Sequence, residues 1–407
     1  MKKNFAEHKS MFLKYKDVLQ FLPFNFFLFK ELKLLLIMII LNLSFSCQKK
    51  SVNEGNSIIN YSVDTLYIDS KGRLLDLNGV MSTSDLDAEE ESFYLYNHFD
   101  HSIDEINLDN REFVRSFPLE AEGPNGVGEY VFGIQYLSDS LFFIKSNILS
   151  TIVDRNGQAV TRINWEDAKD SSGTHLEQLP RYLELVSGPR EIKVFGVHFD
   201  FQKVGAFLDI LSISDNSVNR FDIDPENSFN DFFLRFDNGS FINPAVHLDF
   251  GKNYILISHE FSNEIILFNP KGEFVKVVNY QPNLTPKRAA APDGSQSKSK
   301  EQIKKDYQRI LEQIKFEALV WDKLNNRYFR LSSKRIFGDS YANERSFLPQ
   351  AKETKVFLSV FDNEFNLISE LELPELNDSH FKYFAKDGNL WISQNFSDQL
   401  GFVIIDI

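Results

Sequence analysis

One polar turn between two apolar stretches recurs six times along this chain, and it limits the fold more tightly than any other feature. Clear copies run Ile106–Phe117, Val153–Ile163 and Phe268–Val278; looser ones run Ile213–Phe221 and Phe361–Leu371, and a sixth, Val403–Ile407, stops at the last residue. The anchors are Asp109, Asp154, Asp215, Asn269, Asp362 and Asp406, at spacings of 45, 61, 54, 93 and 44 residues. Asp or Asn suits the opening of a turn because its side chain can bond the backbone two residues on. Gly157 and Gly272 suit positions of positive φ. A hairpin repeated at this scale predicts an array of small sheets. The expectation is an all-β chain folded as a six-bladed β-propeller of four-stranded antiparallel blades, each turn joining a third strand to a fourth.

A second pattern, strand then polar turn then strand, is shared by Tyr94–Ile103, Ile255–Ile265 and Leu390–Leu400, and Ser140–Lys145 sits in the same place in the second blade. Innermost strands are then expected near 74–80, 131–137, 182–186, 244–250, 316–322 and 380–386. The last blade is one strand short. Ser62–Asp69 alternates with period two before the first blade. It is expected to supply the missing strand and so hide an edge that would otherwise invite aggregation.

With 43% apolar residues in 407, the body of the chain can bury a large core. The 40 phenylalanines suit pleated, half-buried surfaces. Net charge is −14; residues 1–46 carry seven Lys/Arg and three Asp/Glu, which leaves −18 on the rest. So acidic a body argues against non-specific binding to nucleic acid or anionic headgroups. A single cysteine, Cys47, excludes an intramolecular disulfide and a multi-cysteine metal site.

The position of Cys47 gives it another meaning. A basic flank at Glu31–Lys33, an apolar run Leu34–Leu43 and Ser44-Phe-Ser-Cys47 have the form of an export signal. The apolar run is too short for a bilayer, which takes ~20 residues. Cysteine directly after the cut resembles the bacterial lipoprotein signal, and that resemblance implies a diacylated Cys47; Ser44 and Phe45 depart from the usual pattern. The alternative is an uncleaved anchor. The expected organisation is a signal peptide at 1–46, of which 1–30 is either a long targeting region or an over-extended start, a flexible tether at 47–57, and the propeller at 58–407. No Asp follows the cysteine, which favours the outer over the inner membrane within the cell envelope, facing either side.

One spacing is long because of an insertion at 281–315. Gln281–Ser295 is loop-like. Within Lys300–Ile314, Ile303, Tyr307, Ile310, Leu311 and Ile314 fall at helical spacing. The segment carries eight Lys/Arg and four Asp/Glu on an acidic body. Two readings stand: the stripe docks on a neighbouring blade, or the insertion forms a lid or partner surface offering Lys287, Arg288, Lys304, Lys305 and Arg309.

Glu122-Gly-Pro124 and Gly128-Glu-Tyr130, between the first two blades, resemble a Gly-Glu-Gly-Pro-Gly-Glu-Phe-like loop in uncharacterised Bacteroidota lipoproteins with a six-bladed, TolB-like propeller. Asn125, Gly126 and Val127 depart from it. Val320–Arg330 resembles that family's aromatic hairpin ending in Tyr-Arg. The resemblance spans about residues 60–407 and implies the fold, but no activity and no catalytic residues.

Chemistry-bearing motifs are weak. Gly123–Gly128 lacks the following helix whose N–H groups a phosphate loop needs. Asp85-Leu-Asp-Ala-Glu-Glu-Glu91 lacks the glycine and ligand spacing of a calcium loop and reads as a solvated connector. His98 and His101 flank a turn, His259 sits in the corresponding turn of the fourth blade, and no His-Glu-x-x-His or Gly-x-Ser-x-Gly occurs. No catalytic, cofactor or metal residues are assigned. The expected function is a lipid-anchored binding or scaffolding module with the membrane and a protein or glycan as partners, and no nucleic acid. The alternatives are an envelope enzyme acting on glycan or peptide and a sensor for a membrane partner. Three or more polar or ionisable side chains converging on one pocket with perturbed pKa values would favour the enzyme; an apolar or featureless channel would favour binding.

Overall fold

The computed structural model describes residues 60–407, except 79–81, 138–140, 148, 177–183, 188–191, 201–204, 227, 293–297 and 378–381. The export signal, Cys47 and the tether lie outside the described residues. No helix among the described residues is long and apolar enough to cross a membrane.

Strand β1 (Ser62–Tyr67) precedes the first blade, which is β2 (Ser84–Leu86), β3 (Ser92–Asn97), β4 (Ser102–Asn107) and β5 (Glu112–Pro118). Blade two is β6 (Val131–Leu137), β7 (Leu141–Ser146), β8 (Thr151–Asp154) and β9 (Ala159–Arg162). Blade three is β10 (Glu184–Val186), β11 (Lys193–Asp200), β12 (Gly205–Ser212) and β13 (Ser217–Asp222). A small hairpin, β14 (Leu234–Arg235) and β15 (Phe241–Ile242), comes before blade four, which is β16 (Val246–Phe250), β17 (Ile255–His259), β18 (Ile265–Phe268) and β19 (Phe274–Val278). Helix α1 (Lys300–Leu311) then leads to blade five: β20 (Lys315–Asp322), β21 (Arg327–Phe337), β22 (Ala351–Asp362) and β23 (Leu367–Glu372). The last blade is β24 (Tyr383–Lys386), β25 (Asn389–Phe396) and β26 (Gln399–Asp406). Six four-stranded antiparallel sheets result. The sixth is completed by β1, paired antiparallel to β26 from Ser62–Asp406 to Tyr67–Gly401. The chain is a six-bladed β-propeller, closed as the sequence predicts.

Each blade is buried on both faces, so its middle strands read as continuous apolar runs rather than alternating ones. Successive side chains on a strand point to opposite faces. Phe142 therefore packs with Tyr94 and Ile103 of blade one, whereas its neighbour Phe143 packs with Val194 and Leu211 of blade three. Phe195 and Leu208 meet Ile257 and Phe268 between blades three and four. Leu267 meets Tyr328 and Phe361 between four and five. Phe329 and Leu358 meet Leu390 and Val403 between five and six. Trp391 and Phe402 close the ring on Phe93 and Ile106.

The recurring turn is the same object at the level of atoms. The Oδ1 of Asp154, Asn269 and Asp362 each accepts two backbone N–H groups, from Asn156 and Gln158, Lys271 and Glu273, and Glu364 and Asn366, at 2.8–3.0 Å. The residue three on from each anchor has positive φ: Gly157 at 72°, Gly272 at 86° and Phe365 at 69°. A ladder irregularity accompanies each turn, as expected for a hairpin with a left-handed residue. Blade one departs from this. There Asn107 accepts from Asn110 N at 2.6 Å, and Asp109 instead meets Lys386 Nζ of blade six at 2.7 Å.

One expected inner strand is misplaced. Blade one begins at β2, not at 74–80. Leu75 and Leu77 do pack against the core between blades six and one, but without a strand partner, and Asp76 binds His98. Apolar spacing there reflects packing of a crossing segment.

Ser299 caps α1 by accepting from Gln302 N, with Glu301 in the first turn and Arg309 in the last, as a helix dipole favours. Ile303, Ile310, Leu311 and Ile314 are buried in a seventh core with Phe232, Leu234, Phe261 and Phe316. The flanking segment is stitched in by backbone bonds Asn263 N to Lys287 O, Ala289 N to Phe261 O and Lys298 N to Arg235 O. The docking reading of the apolar stripe is therefore what the structure contains.

Candidate functional site

The six innermost strands β2, β6, β10, β16, β20 and β24 surround the axis, and their side chains latch neighbouring blades together. Asp85 Oδ2 accepts from Tyr136 N at 2.7 Å, joining blades one and two. Gln135 bonds both Val186 N and Val186 O, joining two and three. His247 Nε2 meets Phe316 O at 3.0 Å, joining four and five. The Tyr383 hydroxyl donates to Ala318 O, joining five and six, and Lys382 Nζ donates to Ser84 O at 2.9 Å, joining six and one. Behind this ring Arg330, 1% exposed, donates to Glu317 O, Asn263 O and Ser262 O and lies over Phe316.

Charged groups from four blades influence one another electrostatically around the axis. Asp249 of blade four is half-buried and feels the charges of Lys382 in blade six, Lys145 in blade two and Asp85 in blade one. Burial pushes its carboxyl up to about 6, with the two lysines pulling the other way and Asp85 adding to the rise. Burial likewise raises Asp85 against Lys382, the Tyr136 amide and Lys145. No donor among the described residues is found on the Asp249 carboxylate, whereas Asp85 and Lys382 each hold a backbone partner.

Lys145 reaches this site from a second strand, not an inner one. It pairs with Gly133 on β6. A Cβ at Gly133 would stand 3.2 Å from Lys145 Cδ and 3.0 Å from Ser82 O. The stem of Lys145 thus lies across the space that any other residue at 133 would fill.

Asp85 was hidden in the sequence inside the acidic run, which divides here: Asp85 and Leu86 belong to β2, while Asp87 caps the turn by accepting from the Glu91 and Ser92 amides. Lys145 ended the strand pattern of the second blade and Asp249 lay in an expected inner strand, but neither was marked by a chemical motif. Only the register of β7 on β6 and the placement of β16 beside the axis bring them together.

The residues singled out by motif lie elsewhere. His98 Nδ1 is 2.8 Å from Asp76 Oδ2, and His101 Nδ1 is 2.5 Å from the Tyr96 hydroxyl. His259 is 1% exposed, beside Ser228, Phe229 and Phe232, and burial pushes its pKa down to about 3. Among the described residues no three His, Cys, Asp or Glu are grouped to hold a metal ion. At Gly123–Gly128, Arg162 takes the carbonyls of Pro124 and Gly126, so the loop offers acceptors to a cation rather than donors to a phosphate. On the insertion, Lys287, Lys305 and Arg309 are exposed, and Lys305 and Arg309 share a helix face. Arg288 is paired with Asp231, and the Lys304 ammonium lies 4.3 Å from the Tyr341 ring centre.

A family model described as a domain of unknown function (DUF4221) matches residues 56–372. A crystal structure of a DUF4221 family member from Bacteroides vulgatus is similar over 85% of this chain and 98% of that one, at TM-score 0.58 and 14% identity. Hydrazine synthase from Kuenenia stuttgartiensis aligns over 80% of this chain and 83% of that one, at TM-score 0.38 and 10% identity. The β-propeller domain of Cps50 (Swd1) from Myceliophteria thermophila aligns over 82% and 98%, at TM-score 0.38 and 7% identity. No curated protein matches the sequence.

Proposed function

The chain belongs to the DUF4221 family, described as a domain of unknown function, and on that footing we propose, from its own residues, that it is a binding module of the cell envelope, tethered through lipid on Cys47, with the propeller channel as its binding site. The observation that supports this is Asp249 on the inner strand β16: a half-buried carboxylate without a hydrogen-bond donor among the described residues. A carboxylate on an inner strand that no protein donor occupies is free to accept from a ligand. The apolar stripe of α1 is used up internally, so on the insertion the exposed cations Lys287, Lys305 and Arg309 are what we offer to a protein or glycan partner.

Two measurements test the reading. A thermal-shift screen of polar metabolites and glycan fragments should yield compounds that raise the melting temperature of the wild type and not of Asp249→Asn. Hits that shift both equally would move the site out of the channel. Cys47→Ser should release the protein from the membrane fraction of expressing cells; retention there would remove the lipid tether.

An enzyme acting on glycan or peptide is the second reading. It is favoured by the channel's being ionisable, with Asp85 and Asp249 both raised. Turnover of a bound compound, lost in Asp249→Asn with binding retained, would select it.

A further inference from the structure

We propose that the rim of blade four is an interaction surface, where strand β19 receives an extended segment of another protein as a fifth strand of its sheet.

The outermost strand of every blade carries backbone N–H and C=O groups that face away from the sheet, a template for another strand unless it is guarded. Five of the six edges have a guard. Beside β5, Asp69 forms a parallel bridge with Glu112, and Phe113 N donates to Asp69 O at 2.9 Å. Beside β13, Lys169 O accepts from Val218 N at 2.8 Å, and the Lys169 amide donates to Asn216 O. β9 is four residues long, with Asn125 Oδ1 on the Ala159 amide. On β1 the Asp64 carboxylate accepts from the Thr65 amide at 2.7 Å. β23 carries Glu370 and Glu372, and charge on an edge discourages pairing.

β19 lacks such a guard. It reads Phe-Val-Lys-Val-Val, exposed at all but Val278. Among the described residues, nothing outside the blade's own ladder bonds to its backbone. Phe274, Val275 and Val277 are 54%, 41% and 49% exposed, whereas β5, β9 and β23 each expose one large apolar side chain and β13 exposes none. The one charge on the strand, Lys276, lies 6.0 Å from the Phe365 ring centre on blade five and so leans towards the neighbouring blade. The irregularity at the turn end is shared with blades one, two and five and does not set β19 apart.

The chemistry of the edge fixes the class of partner. Main-chain donors and acceptors in alternation are matched by another main chain in extended form, and the flanking apolar side chains select alternating apolar residues on it. A second copy of this chain fits less well. Two bodies of net charge −14 would have to approach. Their convex rims would meet along a strand of about 17 Å, against the ~800 Å² per partner of a stable interface. A short segment of a different protein meets neither obstacle.

The test is selection of a phage-displayed library of random linear heptapeptides on the purified protein, with the double variant Val275→Lys, Val277→Lys as the counter-selection. The expected result is enrichment of sequences in which β-branched or aromatic residues alternate with others. The synthesised peptides should bind the double variant at least tenfold more weakly, bind Ile368→Lys on the β23 edge unchanged, and slow amide exchange in β19. Val277→Lys alone serves if the double variant loses its circular dichroism. No enrichment against the variant, equal affinity of the enriched peptides for it, or slowed exchange elsewhere but not in β19 would each overturn the assignment. A wild-type dimer in sedimentation that the double variant abolishes would overturn it too, by giving the edge to a second copy.

Discussion

Two residues show how closely single positions in this fold are specified. Gly272 has φ +86°, and a Cβ there would stand 2.5 Å from Ile210 Cδ1 on the neighbouring blade. Gly239 has φ +87°, with nothing within 4 Å of the same position. Gly239→Ala is expected to cost about 1 kcal/mol through the backbone alone, and Gly272→Ala about 2–4 kcal/mol because it adds the clash. Denaturant titration of the pair checks this; equal losses would mean that Ile210 simply moves aside. Arg330 is the second case. Its three carbonyl partners have no other described side chain to turn to, so Arg330→Met should cost about 3–5 kcal/mol. Lysine should not rescue it, since one ammonium cannot reproduce the guanidinium fork.

At the scale of elements, β1 and α1 make opposite predictions. β1 completes the sixth sheet, and removing residues 58–70 leaves β26 as an open edge. The whole propeller should lose stability and aggregate; a truncated protein that melts like the intact one would refute the closure. The stripe of α1 is buried in a core of its own outside the six inter-blade cores. Ile310→Asp should release the insertion, seen as faster proteolysis within 281–315, while the circular dichroism of the sheets is kept. Loss of the sheets instead would make the insertion part of the ring's stability. These elements also mark what could be read in advance. The turns were legible because their chemistry is local: an Asx acceptor, two amides and a left-handed residue lie within five positions. α1 and the closing strand were legible from periodicity. The inner strand of blade one was not, because Leu75 and Leu77 imitate a strand while Asp85 and Leu86 sit in what looks like a solvated acidic run. The channel cluster was illegible for the same reason on a larger scale. Asp85, Lys145, Asp249 and Lys382 are far apart in sequence, and each alone is an ordinary surface charge.

For the molecule as a whole, burial of ionisable groups sets the response to pH. Asp224, Asp249 and Glu260 are pushed up to about 6, chiefly by burial. Between about pH 4 and 6 the folded chain holds protons that the unfolded chain has released, so these groups lose stability as pH rises. His247 and His259 are pushed down to about 4 and 3 by burial. Below about 6.5 only the unfolded chain binds their protons, so they lose stability as pH falls. The two sets oppose each other between pH 6.5 and 4, and stability should change little there. Below that the carboxylates no longer compensate, and Asp215 and Asp170, held low by Ser217 and by Ser172 with Thr174, add to the loss. Urea midpoints should therefore stay level to about pH 4 and then drop steeply. The double variant Asp249→Asn, Glu260→Gln should lose stability between pH 7 and 5 where the wild type holds; identical profiles would show that the carboxyls do not provide the balance. The seam between β1 and β26 has a further consequence, in time rather than in space. Its two strands, Ser62–Tyr67 and Gln399–Asp406, are separated by the other five blades, so the contact that completes the wheel has very high contact order. Five blades can assemble while the sixth waits, and slow folding with a late, single locking step is the kinetics this architecture imposes.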